Sequence, residues 1–370
     1  MHPSTLLGKL SGRVTSPERV QRKSFHKLHL LLAIGAFVGC TAASEPPASE
    51  PDASVDVLGE DSEGQGDVAL DSTEPKSGDI HGVTDTVQPS GEIVSFRELA
   101  YPLSEGLESD LATLDIHRMD DGEARPVVLL VHGGSWAGGD KAGFEAKIVP
   151  WWIEQGYVAV PVNFRLATKH GQSPAVKPRD QANDIAAAIA WLKENAATYQ
   201  MDTSRTVLLG YSSGAHLVAL LGTDESIAQS AGVDETHLIA AISLDVHAYD
   251  VPYALELMVG SVVEGNTSTI THLFGQTKEQ QLKDSPISYV DGWATKALII
   301  SVDKDPAVPG THGYIVDKAA NHYVSVLVAA GHTASNMHDI SETHSSLVGG
   351  FGEPGDKTTE AVAEFIATLP

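Results

Sequence analysis

The chain is short of cysteine, of basic residues and of long apolar runs, and each shortage closes off a class of function. Its one cysteine, Cys40, excludes an intramolecular disulfide and any metal site built from clustered cysteines. Against 49 Asp and Glu stand 24 Lys and Arg. So acidic a chain is unsuited to nucleic acid, whose phosphates are held by cations. The prominent apolar run, Leu28 to Gly39, is too short for a spanning helix, which takes about 20 residues. Nothing has the spacing of a zinc or calcium loop, and the 16 histidines are scattered, so neither a metal nor a cofactor is expected.

The charge that is present is unevenly placed. Residues 1–39 carry six Lys/Arg against one Glu, and Arg19, Arg22, Lys23 and Lys27 lead directly into the apolar run. That order, basic then apolar then small at Gly39, is the layout of a secretory signal. Phe37-Val38-Gly39-Cys40 resembles the lipobox of bacterial lipoproteins, with Phe37 where Leu is usual. The resemblance implies lipidation of Cys40, a membrane partner through that anchor, and export across the inner membrane to the periplasm or cell exterior. A plain signal peptide with Cys40 incidental is the alternative. Residues 40–91 are Ser, Glu, Asp, Pro, Gly and Ala with few large apolar side chains. They bury too little to offset ordering entropy and read as a disordered, self-repelling tether.

From 92 to 370 the pattern is that of one folded domain. Phe96–Tyr101 and Leu111–Met119 look like early strands. Val127–Val131 and Val158–Phe164 are continuous apolar runs, as expected of strands covered on both faces. Asp180–Ala197 has helical spacing, with Trp191 on its apolar stripe. Thr206–Leu209, Ile239–Val246, Lys296–Val302 and Ser325–Ala329 read as further strands, and Thr358–Leu369 as a closing helix. Alternation of strand and helix predicts an α/β fold with a mostly parallel central sheet and helices on both faces. Ligands on such sheets bind outside the carboxyl ends of the strands.

One of those edges carries chemistry. Gly210-Tyr211-Ser212-Ser213-Gly214 follows the strand Thr206–Leu209 and precedes the helix formers Ala215–Leu221. A G-x-S-x-G turn between strand and helix lifts the serine hydroxyl out of the sheet as a nucleophile. A serine needs a base and an orienting acid, and in this arrangement the chain order is Ser, acid, His. Asp305, in a proline-stiffened loop after Lys296–Val302, is the expected acid in preference to Asp303, which is placed to brace the turn. His332, just after Ser325–Ala329, is the expected base in preference to His338 and His344. An oxyanion needs preorganised donors. The N–H of Ser213 is one, and Gly134 and Ser135 in His132-Gly133-Gly134-Ser135-Trp136, helped by Gly133, supply the rest. Asp245 and His247, at another strand end, line the pocket or merely shape a turn.

These motifs resemble α/β-hydrolase esterases of the bacterial feruloyl-esterase-like and hormone-sensitive-lipase-type groups, which are related to kynurenine formamidases. The resemblance rests on Leu114-Asp115-Ile116, His132–Trp136, Asn163-Phe164-Arg165-Leu166, Asp184 with Ala187–Leu192, Gly210–Leu217, Ser285-Pro286, Asp305-Pro306 and Gly331-His332. Ser213 stands where Ala is usual, and Phe164 where Tyr is common. The resemblance implies an α/β-hydrolase fold and a serine hydrolase cleaving short-chain carboxylic esters, with acetyl or feruloyl groups on polysaccharides as substrates and Ser212, Asp305 and His332 as the triad. A formamidase-like amide hydrolase and a silent hydrolase fold on a surface lipoprotein are the competing expectations.

Overall fold

A computed structural model describes residues 91–104, 107–167, 176–234 and 236–370. The expected signal segment, Cys40 and the acidic tether lie outside these residues. Eight strands form one sheet: β1 (Ile93–Ala100), β2 (Thr113–Met119), β3 (Arg125–Val131), β4 (Val158–Val162), β5 (Met201–Tyr211), β6 (Leu238–Leu244), β7 (Lys296–Val302) and β8 (Ala334–Asp339). Their order across the sheet is β1-β2-β4-β3-β5-β6-β7-β8. The β1–β2 and β2–β4 pairings are antiparallel, and from β4 through β8 all neighbours are parallel.

The apolar runs have a direct physical reading. On β3, Val127, Leu129 and Val131 enter the core on one face, while Val128 and Leu130 enter the core on the other. A strand covered on both sides needs no polar alternation. The first face is covered by the helices Pro178–Glu194 and Ser213–Leu221. The second is covered by Ile148–Glu154, with Trp152 fully buried, and by Lys357–Ile366. Among the described residues no helix is long and apolar enough to cross a membrane.

One expected strand is not a strand. Ser325–Ala329 is the last part of an 18-residue helix, His312–Ala329. Its valines suggest a strand locally, but Ile315, Ala319, Tyr323 and Leu327 recur every four residues and are all buried, while Val328 is 53% exposed. The helical stripe overrides the β-branched composition. Gly331, at φ +93, turns the chain after the helix. The last strand is β8, whose sequence Ala-Ser-Asn-Met-His-Asp lies at the sheet edge and is half-buried, so it carries no apolar run.

Candidate active site

β5 ends at Tyr211, and Ser212 caps the helix Ser213–Leu221 with φ 54 and ψ −123. This strained turn depends on its glycines. A Cβ on Gly210 would lie 2.2 Å from the Gly214 carbonyl oxygen, and one on Gly214 would lie 2.1 Å from that of Val131. The Ser212 N–H donates to the Leu244 carbonyl at 2.8 Å, fixing the turn to the end of β6.

β6 hands over to Asp245, which is buried and also left-handed, at φ 56. Its Oδ1 accepts from the Val302 N–H at 2.9 Å. Its Oδ2 lies 2.5 Å from Nδ1 of His344, and Nε2 of that imidazole lies 3.1 Å from the Ser212 hydroxyl. Serine, imidazole and carboxylate therefore stand in one line. The carboxylate sets the tautomer with its proton on Nδ1, which leaves the Nε2 lone pair toward the serine. Such a line can remove the serine proton and return it to a leaving group.

Asp305 and His332 are not in that line. Asp305 is exposed in the turn after β7, where its carbonyl accepts from Val308 N–H and Thr311 Oγ1. β7 is one strand further from β5 than β6 is, and the carboxylate bonded to the imidazole beside the serine is Asp245. His332 precedes β8 and follows a helix, which puts it at the amino ends of the strands. Thr333, its neighbour, accepts from Ala297 at the start of β7. At about 3.3 Å per residue, the length of β7 separates His332 from the serine edge by roughly 17–20 Å. Its Nε2 instead bonds the Val290 carbonyl at 2.7 Å. His338 is also held away, with Nδ1 2.8 Å from Ser301 Oγ and Nε2 2.9 Å from the Asp303 carbonyl.

Of the four expected oxyanion residues, Gly133, Ser135 and Ser213 lie beside Ser212, and Gly134 is in the same loop. Ser213 and Ser135 share its cavity. Ser213 opens a helix, so its N–H has no partner within that helix. A Cβ on Gly133 would lie 2.8 Å from that of Ser212, and Gly134 adopts φ +132 where its Cβ would strike Gly138. The loop is pinned through Trp136. Its indole donates to His216 Nδ1 at 3.2 Å, and its carbonyl accepts from Gln181 at 2.7 Å and the Ala167 N–H at 2.6 Å. His216 Nε2 then donates to the Asp284 carbonyl at 2.7 Å. Burial holds this imidazole neutral, with its pKa lowered to about 4. The Tyr211 ring stacks on His344, and burial raises the pKa of its phenol.

These groups surround a cavity of about 420 Å³. Five of the eight non-glycine residues with positive φ among the described residues line it: Ser135, Trp136, Ser212, Asp245 and Asp303. Strain persists where the surroundings over-determine it, commonly at functional sites, so its concentration marks this cavity out from the rest of the described surface. Val246 and His247 line it too, so the Asp245–His247 strand end belongs to the pocket. Burial lowers the His247 pKa to about 4. Val263, Asn266, Thr269 and Ile270 add a wall from the segment between β6 and β7, to which sequence reasoning gave no role. His312, at the start of its helix, was missed as well. Its Nε2 is 3.8 Å from Asp245 Oδ2.

A model of the BD-FAE family matches residues 114–319, more than half of the chain. Esterase LipQ of Mycobacterium tuberculosis is 25% identical over 263 residues, covering 69% of this chain and 59% of the relative. The chain thus spans about three-fifths or less of the length of the curated relatives it matches first. A solved structure of esterase B from Lactobacillus rhamnosis superposes with a TM-score of 0.58 at 19% identity, covering 76% of this chain and 89% of that one. A truncated carbohydrate esterase from gut microbiota gives 0.56 at 21% identity, covering 73% and 95%. The fold is that of the α/β-hydrolases.

Proposed function

The chain belongs to the BD-FAE family, and from that premise we propose that it is a carboxylic ester hydrolase with Ser212 as nucleophile, His344 as general base and Asp245 as the orienting acid. The observation that carries this reading is the single imidazole bridging Ser212 Oγ and Asp245 Oδ2. Ser212 attacks the acyl carbon while His344 Nε2 takes its proton. The backbone N–H groups of Ser213, Gly134 and Ser135 receive the negative charge on the carbonyl oxygen. His344 then protonates the departing alcohol, and water repeats the sequence on the acyl-enzyme. Esterases among the relatives support ester hydrolysis.

A short acyl group fits the cavity of about 420 Å³. Its wall mixes Val246, Val263 and Ile270 with Asn266 and Thr269. That mixture suits acetyl or feruloyl groups carried on a polar molecule such as a polysaccharide, and the resemblance to a carbohydrate esterase supports the same reading. Export and lipidation at Cys40 complete the proposal and rest on the sequence alone.

Hydrolysis of p-nitrophenyl acetate tests the residue roles. Ser212→Ala and His344→Ala each lower kcat on the order of 10⁴-fold. Asp305→Ala and His332→Ala, remote from the reacting atoms, stay within about twofold of the parent. Full activity in His344→Ala would remove His344 from the mechanism. Comparing acetylated xylan, methyl ferulate and N-formylkynurenine ranks the substrates.

A further inference from the structure

We infer that Asp245, His312 and His344 form a zinc site whose occupation shuts the hydrolase down, an inference that rests on His344 being the general base. One ligand atom from each residue lies within 4.8 Å of the others. Asp245 Oδ1 is engaged by the Val302 N–H, so Oδ2 is the oxygen facing both imidazoles. It lies 2.5 Å from His344 Nδ1 and 3.8 Å from His312 Nε2. Zinc bonds imidazole nitrogen and carboxylate oxygen at about 2.0–2.2 Å, which puts tetrahedral ligands roughly 3.3–3.5 Å apart. The two observed separations straddle that value, and side-chain shifts of about an ångström or less bring both to it.

A second observation points the same way. Asp303 Oδ2 lies 3.3 Å from Nδ1 of His312, close enough for an ion pair though not aligned as a hydrogen bond. Once turned into hydrogen-bond alignment, a carboxylate on the far nitrogen of a ligating histidine fixes the tautomer and directs the other nitrogen at the metal. Here that nitrogen is Nε2, the one facing Asp245. Asp245, Asp303, His312 and His344 all line the open cavity beside Ser212, so an ion has a path in. One carboxylate and two imidazoles suit zinc, leaving a fourth position for water, whereas magnesium and calcium call for oxygen ligands.

The other His/Asp/Glu grouping among the described residues, Asp115, His117 and Glu145, differs in this respect. Lys141 Nζ lies 3.2 Å from Asp115, and Arg97 pairs with Glu145 at 2.5 Å, so cationic side chains already hold those carboxylates. No comparable cation faces Asp245 among the described residues.

Binding would release the Nδ1 proton of His344 to solvent and replace it with zinc. His344 would lose its carboxylate partner, and a proton from Ser212 would have to join an imidazole already bonded to a dication. Hydrolysis therefore stops while the ion is bound.

The test uses the full chain. Zinc should inhibit hydrolysis of p-nitrophenyl acetate saturably, and EDTA should reverse the inhibition. Each variant is compared with its own zinc-free rate. Asp303→Asn should raise the half-inhibiting zinc concentration roughly 10–100-fold, as loss of an outer-shell partner does, and His312→Ala or His312→Asn by at least about tenfold. Cobalt added without substrate should give the visible absorption of a four-coordinate site, retained in Ser212→Ala and lost in either His312 variant. Cobalt binding with no ester turnover would leave the site standing and overturn the esterase reading. Turnover that zinc inhibits equally in the parent and both His312 variants, or folded parent with no cobalt band, would overturn the site alone.

Discussion

The Tyr211 hydroxyl donates to the backbone carbonyl of His344 at 2.5 Å, and the two rings stack with centroids 5.1 Å apart. The residue before the serine thus holds the loop that carries the imidazole. His344 lies beyond β8 in an otherwise largely exposed segment, so its position relative to Ser212 depends on few ties. Tyr211→Phe keeps the stacking and removes the bond, a net loss of about 1 kcal/mol. If that loss falls on the transition state, kcat drops about fivefold with KM little changed. Steady-state kinetics on p-nitrophenyl acetate checks this, and a rise in KM with constant kcat would assign Tyr211 to substrate binding instead.

Much of this arrangement was legible in the sequence, for a reason that also explains the failures. β3, β5, β6 and β7 are covered on both faces, so they appear as apolar runs, and the elbow and the His132–Trp136 loop follow two of them directly. β8 is an edge strand with polar residues, and the preceding helix ends in a β-branched stretch. The apparent strand therefore falls one element too early and points to His332, whereas the structure brings His344 to the serine. The acid depends on which strand neighbours β5, a spatial fact that chain order leaves open. Asp245, at the end of β6, was visible as a strand-end residue. His312 had no local signal, because it opens a helix and meets Asp245 only in three dimensions.

Two glycines separate the requirements of folding from those of catalysis. Gly214 packs where a Cβ would meet the Val131 carbonyl oxygen at 2.1 Å, backbone that cannot yield without moving β3. Gly214→Ala should destabilise the domain by about 3 kcal/mol or more. Gly133 faces the Ser212 side chain, with its Cβ position 2.8 Å from that of the serine. Gly133→Ala should displace the serine or the oxyanion loop and lower kcat on the order of 10²-fold, while costing less stability than the Gly214 change. Urea unfolding and kinetics on both variants check the contrast; equal losses of stability would refute it.

Arg165 and Asp184 form a two-pronged ion pair, with Nε to Oδ2 at 2.8 Å and an Nη to Oδ1 at 2.6 Å. Asp184 is buried, and burial raises its pKa despite the guanidinium. Removing only the cation leaves a carboxylate uncompensated inside the protein. Arg165→Ala should therefore cost about 3–5 kcal/mol at pH 7, while replacing both partners by leucine costs much less. Urea midpoints for the single and double variants measure the difference, and a double variant as unstable as Arg165→Ala would show that the pair itself, not the stranded charge, matters.

His216 joins the oxyanion loop to the elbow helix, accepting from the Trp136 indole and donating to the Asp284 carbonyl. Its folded pKa, about 4, lies below the ordinary value of 6.5. Between those two values the unfolded chain binds more protons than the folded one, so stability falls as pH is lowered through this window and levels off below it. The neutral imidazole's contribution is fully present above pH 6.5 and amounts to about 3 kcal/mol at most. His247, with a pKa also lowered to about 4, adds to the same slope. Urea midpoints at pH 7 and pH 4.5 should differ in this direction. His216→Gln, which keeps a donor for Asp284 but does not titrate, should be less stable than the parent at pH 7 and lose less on acidification. An unchanged pH dependence in that variant would mean that His216 does not titrate on unfolding as its burial requires.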